Sequence, residues 1–354
     1  MYNSLFKTFY NIESRKHGML YVFNLSYYLI TMIIPSIVFI VNGIDHGYFA
    51  MNFYYLFTIL LLATINGYII FKYLHDKHEI DYLHSLPADR DEILYSKLLF
   101  GFNVYILPTI ISLAILYFVL LAFRPNTLIN QNELIKMFFF NTLYYLVSYL
   151  IMSFLMCASG NSIFAIFSSL LIQFLGYILV FSSFLLRTNF NSSNNNSQIL
   201  DLFFKYLSPI NIYINIAENT KIIIPIIPIV FLIIYIIIFF KLCKYSFINR
   251  PLEKYDKVFA FDGISRIFHI IVSGLFGFIG GELILLFYEY NLNTISKLII
   301  LVVGNIVLST IIFIVIEMIY NKKITIGLNK IIDYILSILI PVFIVALYTY
   351  MIPV

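Results

Sequence analysis

Charge is what this chain has least of. Of its 354 residues only 11% are charged, 61% are hydrophobic, and the mean hydropathy is +0.93. Globular domains carry about a quarter charged residues, so a water-soluble fold is excluded and a polytopic membrane protein is implied. Tryptophan is absent, and cysteine occurs only as Cys157 and Cys243. Two isolated cysteines make neither a disulfide framework nor a metal site. No glycine is followed by lysine, so the chain has no P-loop with which to cradle a nucleotide. No Ser/His/Asp, Cys/His or paired-carboxylate arrangement stands out, so no catalytic residue is assigned and no cofactor is expected. The first apolar run is too long for a cleavable signal peptide and lacks a small-residue cleavage site.

What is abundant is Ile, Phe, Tyr, Asn and Lys, the mark of an AT-rich genome and hence of a low-GC bacterium. A membrane span needs about 20 mostly apolar residues. Nine stretches qualify, near 20–42, 50–71, 98–123, 137–157, 162–186, 222–240, 265–288, 298–320 and 331–353. The last has the weakest boundaries, because Asp333 sits in its first turn, so eight spans remain an alternative. With the N-terminus inside, most of the 22 Lys and Arg residues fall on inner segments. Arg124, Lys136, Arg187, Lys205, Lys221 and Lys297 fall outside. That asymmetry obeys the positive-inside rule. The formal net charge of +4 follows the membrane, and no nucleic-acid partner is expected.

Ahead of the spans, Tyr2, Leu5, Phe6, Phe9 and Tyr10 share one helical face while Lys7, Asn11 and Arg15 point elsewhere. This pattern predicts a helix lying in the membrane interface. A dense polar island, residues 72–97, separates the second and third spans. Leu86-Pro87 stops what precedes it. Asp89 with Glu92 forms an Asp variant of the capping box, so a new helix is expected to start there and run into the third span. A short capped helix pinned between two spans is well placed to receive a push from a soluble partner. Its candidate contact residues are Glu79, Asp81, Pro87, Arg90, Asp91 and Glu92. The outer loop 187–221 is too broken by Asp201, Lys205, Pro209 and Glu218 to cross. It reads as short helices dipping into the outer leaflet or lying on its surface. A domain boundary is expected after 242, giving a six-span part, 1–242, and a linker with three further spans, 243–354.

Taken together, the interfacial helix, six spans, a cytoplasmic helix between the second and third, and re-entrant helices before the sixth resemble the ABC-2-type permeases. These are the membrane subunits of bacterial type-2 ABC exporters. Leu86, Pro87, Arg90 and Lys97 resemble the coupling-segment signature of Gram-positive members, and Leu207 to Tyr213 is similar to the segment before their last core span. The resemblance covers about 1–242; the three extra spans depart from the minimal pattern. It implies an all-α polytopic bundle in the bacterial cell membrane with the N-terminus cytoplasmic. It also implies a separately encoded ABC ATPase subunit, a second permease subunit (identical or a sister), and efflux of a hydrophobic or amphipathic substrate such as a peptide or antibiotic.

Other residues leave alternatives open. Glu282 and Glu317 lie inside the seventh and eighth spans, where carboxylates default to function. Neither has an obvious basic partner in a neighbouring span. A secondary carrier driven by an ion gradient would place one of them at a midplane cavity. A non-transporting sensor or immunity subunit would bind its ligand at the outer surface. Ser273/Gly277 and Gly277/Gly281 are small-xxx-small pairs suited to close helix approach. Asn66, Asn103 and Asn141 are expected to bond between helices. Pro35, Pro108, Pro225 and Pro228 are expected to kink their spans. His75, His78 and His84 lack a third inward ligand at helical spacing, so no metal site is assigned.

Overall fold

The computed structural model describes residues 2–34, 47–84, 89–123, 131–190, 205–218, 226–251, 257–287, 293–321 and 328–350. Most of these residues are helical, with no strand among them. In chain order the helices are α1 (Tyr2–His17), α2 (Met19–Tyr28, continued by a π turn at Leu29–Ile33), α3 (Gly47–Phe71, extended by a 3-10 turn at Lys72–His75) and α4 (Lys77–His84). Then come α5 (Arg90–Phe123), α6 (Gln131–Ala158), α7 (Ser162–Phe190), α8 (Pro209–Glu218) and α9 (Ile226–Ile248). The last three are α10 (Asp262–Phe287), α11 (Thr294–Asn321) and α12 (Leu328–Tyr350).

Seven helices among the described residues are long and apolar enough to cross a membrane: α3, α5, α6, α7, α9, α10 and α11. The protein is therefore an all-α membrane bundle. The expected first span enters as α2 and its π turn, with residues 35–46 outside the described set, so Pro35 is not placed. The expected last span is the single helix α12, with Pro341 inside it. Pro225 also lies outside the described residues.

The chain divides into two compact units. The first comprises Met1–Gln173 with Pro209–Asp256, and the second Phe174–Ser208 with Lys257–Val354. The sequence-read boundary after residue 242 falls inside α9, whose last two turns carry the buried Cys243 and Phe247.

In the first unit, α3 and α6 are central: 67% of each apolar window is buried, against 22% for α9, whose exposed Ile227, Val230, Ile234 and Ile237 suit a lipid-facing wall. Tyrosines fill its interior. Tyr105 stacks on Tyr145 at 3.7 Å between centroids, and Tyr28 meets Tyr105 edge-on at 5.7 Å. A buried tyrosine needs a partner for its hydroxyl. Tyr145 donates to the Gly101 carbonyl at 2.9 Å and accepts from Asn66 at 3.0 Å. Asn24 bonds the Val104 carbonyl at 2.9 Å, Asn103 donates to the Tyr10 hydroxyl at 3.0 Å, and Tyr213 donates to Asn141 at 2.6 Å. The span asparagines thus join helices to one another.

The face of α1 that carries Phe6, Phe9 and Tyr10 packs on α5, with Tyr10 edge-on to Phe100 at 6.1 Å and Phe9 buried. Lys7, Asn11 and Arg15 are exposed.

In the second unit, the small residues of α10 meet α11 backbone to backbone. A Cβ on Gly281 would lie 2.8 Å from the Leu301 carbonyl oxygen and 3.0 Å from the Asn305 nitrogen. On Gly277 it would lie 2.6 Å from Ser309 Cβ. Across from them, Arg266 of α10 grips Asp333 of α12 with two hydrogen bonds, 2.7 and 3.0 Å.

Because backbone cannot yield as a flexible side chain can, Gly281→Val should force α10 and α11 apart. A destabilisation of about 1–3 kcal/mol is expected, read as a lower unfolding midpoint in detergent. Gly263→Ala, where a Cβ meets nothing within 4 Å, should leave that midpoint unchanged or slightly raised.

Candidate functional site

At one end of the first unit, the polar island folds around helix termini. Asp76 has an extended backbone and caps α4. Its carboxylate accepts from the His78 N–H at 2.9 Å, and its carbonyl accepts from the Ile80 N–H at 3.0 Å. Ile80 is buried, while Lys77, His78, Asp81 and Tyr82 face outward, Tyr82 being 67% exposed. Glu79, half-exposed, pairs with Lys16 of α1 at 2.9 Å. Downstream, Asp89 occupies the position before α5, its carbonyl accepting from the Glu92 and Ile93 N–H groups at 3.0 and 3.3 Å. The expected helix start is where the sequence put it, and α5 continues without a break into the span. Residues 85–88, with Pro87, lie outside the described set.

The candidate contact residues part company here. Glu79 and Asp81 sit on α4. Arg90 and Asp91 turn toward α9, and Glu92 is buried. Arg90 donates to the Ile248 carbonyl at 2.5 Å, at the C-terminus of α9. Asp91 pairs with Lys244 of α9 at 3.0 Å, and the same ammonium donates to the Tyr95 hydroxyl at 2.9 Å. Glu92 is 7% exposed.

Two buried charges have partners that the sequence reading did not foresee. Arg250 is 3% exposed and donates to three carbonyls. Met156 and Cys157, at the end of α6, each accept at 2.7 Å, and Leu74, in the turn that ends α3, accepts at 2.8 Å. The last four carbonyls of a helix have no partner within it, and that end carries partial negative charge. One guanidinium satisfies two such ends at once. Burial pulls its pKa below the ordinary arginine value, and the three carbonyls are what hold the cation there. The second charge is Lys97, inside α5. It is 3% exposed, forms an ion pair with Glu13 of α1, and stands 4.0 Å over the Tyr73 ring. A signal for Glu13 was available: it continues the apolar face of α1 one turn past Phe9 and Tyr10, an unusual place for an acid. Arg250 offered only the run Asn249-Arg250-Pro251 at a helix end, which reads as an ordinary basic loop.

Beside the Lys97–Glu13 pair opens a cavity of ≈ 370 Å³ that reaches Lys16, His17, Lys72, Asp76 and Glu79. Burial lowers the His17 pKa, against the pull of Glu13. His75 is half-buried and His78 exposed, and no group of three or more metal-ligating side chains occurs among the described residues.

In the second unit, Glu317 of α11 is buried and ion-paired with Lys330 of α12. Its basic partner comes from the helix after it, just ahead of the expected last span. Glu282 of α10 is fully buried and neither of its oxygens has a hydrogen-bond partner.

Set against protein-family models, characterised proteins and solved structures, the chain matches none.

Removing one partner of a buried ion pair strands the other, whereas removing both need not. Lys97→Met should therefore destabilise the protein by about 3–5 kcal/mol, and Glu13→Leu added to it should recover part of that loss. Lys16→Ala, which opens only the exposed pair with Glu79, should cost less than about 1 kcal/mol. The check is an unfolding midpoint in detergent for each variant. Stability should also fall as pH drops from 6.5 toward the lowered folded pKa of His17, because the unfolded chain binds the proton first. His17→Gln should flatten that part of the stability–pH curve.

Proposed function

We propose that the chain is the membrane permease subunit of an ATP-driven exporter, worked by a separately encoded ATPase that docks on α4. The observation that carries this reading is the setting of α4: a short capped helix, exposed on one face, joined on both sides to helices long enough to cross the bilayer. A push on α4 has a defined way into the bundle. The Lys16–Glu79 pair links α4 to α1, and the buried Glu13–Lys97 pair links α1 to α5. Arg90 and Asp91 then link the start of α5 to the end of α9. A load on α4 thus reaches α1, α5 and α9 together. The docking surface on this reading is Lys77, His78, Asp81 and Tyr82, while Arg90 and Asp91 hold the strut in place.

The packed interior of the first unit supports a path shared between two subunits. Tyr28, Tyr105, Tyr144, Tyr145 and Tyr149 are each no more than 1% exposed, which leaves no lane for a bulky substrate among them. A hydrophobic or amphipathic cargo, a peptide or antibiotic among them, fits the apolar walls such a path would have. With no P-loop in this chain, nucleotide hydrolysis belongs to the partner.

The test is purification of the tagged chain from its own membrane, with mass-spectrometric identification of co-purifying ATP-binding chains and measurement of vanadate-sensitive ATP hydrolysis. Asp81→Lys combined with Tyr82→Ala should reduce recovery of the ATPase about tenfold or more, equivalent to about 1.4 kcal/mol of docking energy, with no fall in the unfolding midpoint. Equal recovery and unchanged hydrolysis would remove α4 from the docking role. Substrate movement by the purified chain alone would overturn the reading altogether.

A further inference from the structure

We infer that Glu282 is a proton-binding site, its carboxyl held in the neutral, protonated form within the apolar seam between α7 and α10. The inference concerns the second unit and does not rest on the docking of an ATPase. Phe278, Glu282 and Leu285 recur at i, i+4 and i+7 on α10, so they share one face. Leu179, Ser182 and Leu186 recur at i, i+3 and i+7 on α7. Leu179, Leu186, Phe278 and Leu285 form one buried apolar cluster with Leu301 of α11. Glu282 and Ser182 lie at the middle of that cluster, and both are fully buried.

A carboxylate has about four lone-pair sites to satisfy. Here neither oxygen of Glu282 has a hydrogen-bond partner. The Ser182 hydroxyl, itself without a hydrogen bond, is the polar group beside it. An ionised carboxylate so placed would be shut off from water with no counter-charge among the described residues, and such groups neutralise instead. A hard metal cation would need about six oxygen ligands; the described residues near the seam offer the Ser182 hydroxyl and the buried Asn305 amide, which stands against Gly277 and Gly281. A proton needs none.

The ionisable groups around the site leave that balance intact. On α7, no carboxylate, lysine or arginine occurs between Phe174 and Leu186, and Tyr177 is exposed. On α11 the nearest cation along the chain is Lys297, one turn before Leu301. On α10 itself, His269 and Arg266 lie about three and a half turns or more away. Lys330 and Asp333 of α12 belong to that same distant end, where Asp333 is bound to Arg266. Lys205 and Tyr206 precede Leu207, which packs against the cluster, and the sequence places Arg187, Tyr288 and Glu289 next beyond the seam. Glu317, the buried carboxylate of α11, differs in kind, because Lys330 pairs with it.

A hydrophobic carbodiimide reads this difference directly. The O–H of a protonated carboxylic acid adds across one C=N bond of dicyclohexylcarbodiimide. The O-acylisourea so formed rearranges to a stable N-acylurea, with nothing oxidised or reduced and no group lost. Native membranes containing the full chain would be treated at neutral pH and the adduct located by mass spectrometry. The expected result is modification of Glu282 at least tenfold above Glu317. The adduct should be absent with Glu282→Gln and insensitive to added sodium or potassium. In parallel, infrared difference spectra of the purified chain, unsubstituted minus Glu282→Gln, should show a protonated-carboxyl C=O band and no carboxylate band. Should Glu282→Gln fail to fold, labelling of the unsubstituted chain decides alone. Absence of the adduct on Glu282, equal labelling of Glu317, or loss of a carboxylate band would overturn the inference. Protection by sodium or potassium at constant pH would replace the proton with a metal cation and overturn it as well.

Discussion

Arg250 is the constraint on which the first unit depends. Helix C-termini that end near the membrane leave carbonyls facing a poor solvent, and each unsatisfied group there is costly. A single guanidinium, carried just beyond α9, fits into the ends of α6 and of the turn that finishes α3. Its fork of donors spans carbonyls that no backbone arrangement brings to one point. Because α4 follows directly from the turn that Arg250 holds, the strut inherits its position from that contact. Arg90 does the reverse from the start of α5, closing the end of α9. The two arginines thus bind the ends of α3, α5, α6 and α9 into one plate.

Against that plate, the acidic and basic side chains of the polar island have unequal worth. The Lys16–Glu79 pair is about half exposed and worth little as stability. The Glu13–Lys97 pair is buried, so each member depends on the other. On the proposed function this contrast would serve transmission of motion: rigid ties deep in the unit, loose ones at the surface where the proposed partner would approach. The second unit is held by other means, close backbone contact along the glycines of α10 and the Arg266–Asp333 fork, with a single unpaired carboxyl left in its apolar seam.

Much of the helical plan was legible from the sequence because it is local. Hydropathy located the seven helices long and apolar enough to cross a membrane, Asp89 and Glu92 marked the start of α5, and the spacing of Gly277 and Gly281 marked a face for close packing. What was not legible is pairing across distance. Glu13 meets Lys97 across 84 positions, and Arg250 meets Leu74 across 176. Periodicity carries no information about such partners, so Arg90 and Asp91 read as contacts for a soluble partner although they bond to α9. The same limit hid the proximity of Cys157 and Cys243, whose thiols meet between α6 and α9, and the Lys330 partner of Glu317.

The account stands on the side of the membrane to which the plate and its strut belong. A single Asp81→Cys substitution, with Cys157 and Cys243 left in place because both are buried, gives a direct reading with a membrane-impermeant maleimide. The account predicts rapid modification in inside-out vesicles and none in intact cells. Modification in intact cells would put α4 on the outer face, where no ATPase could reach it, and would contradict the account.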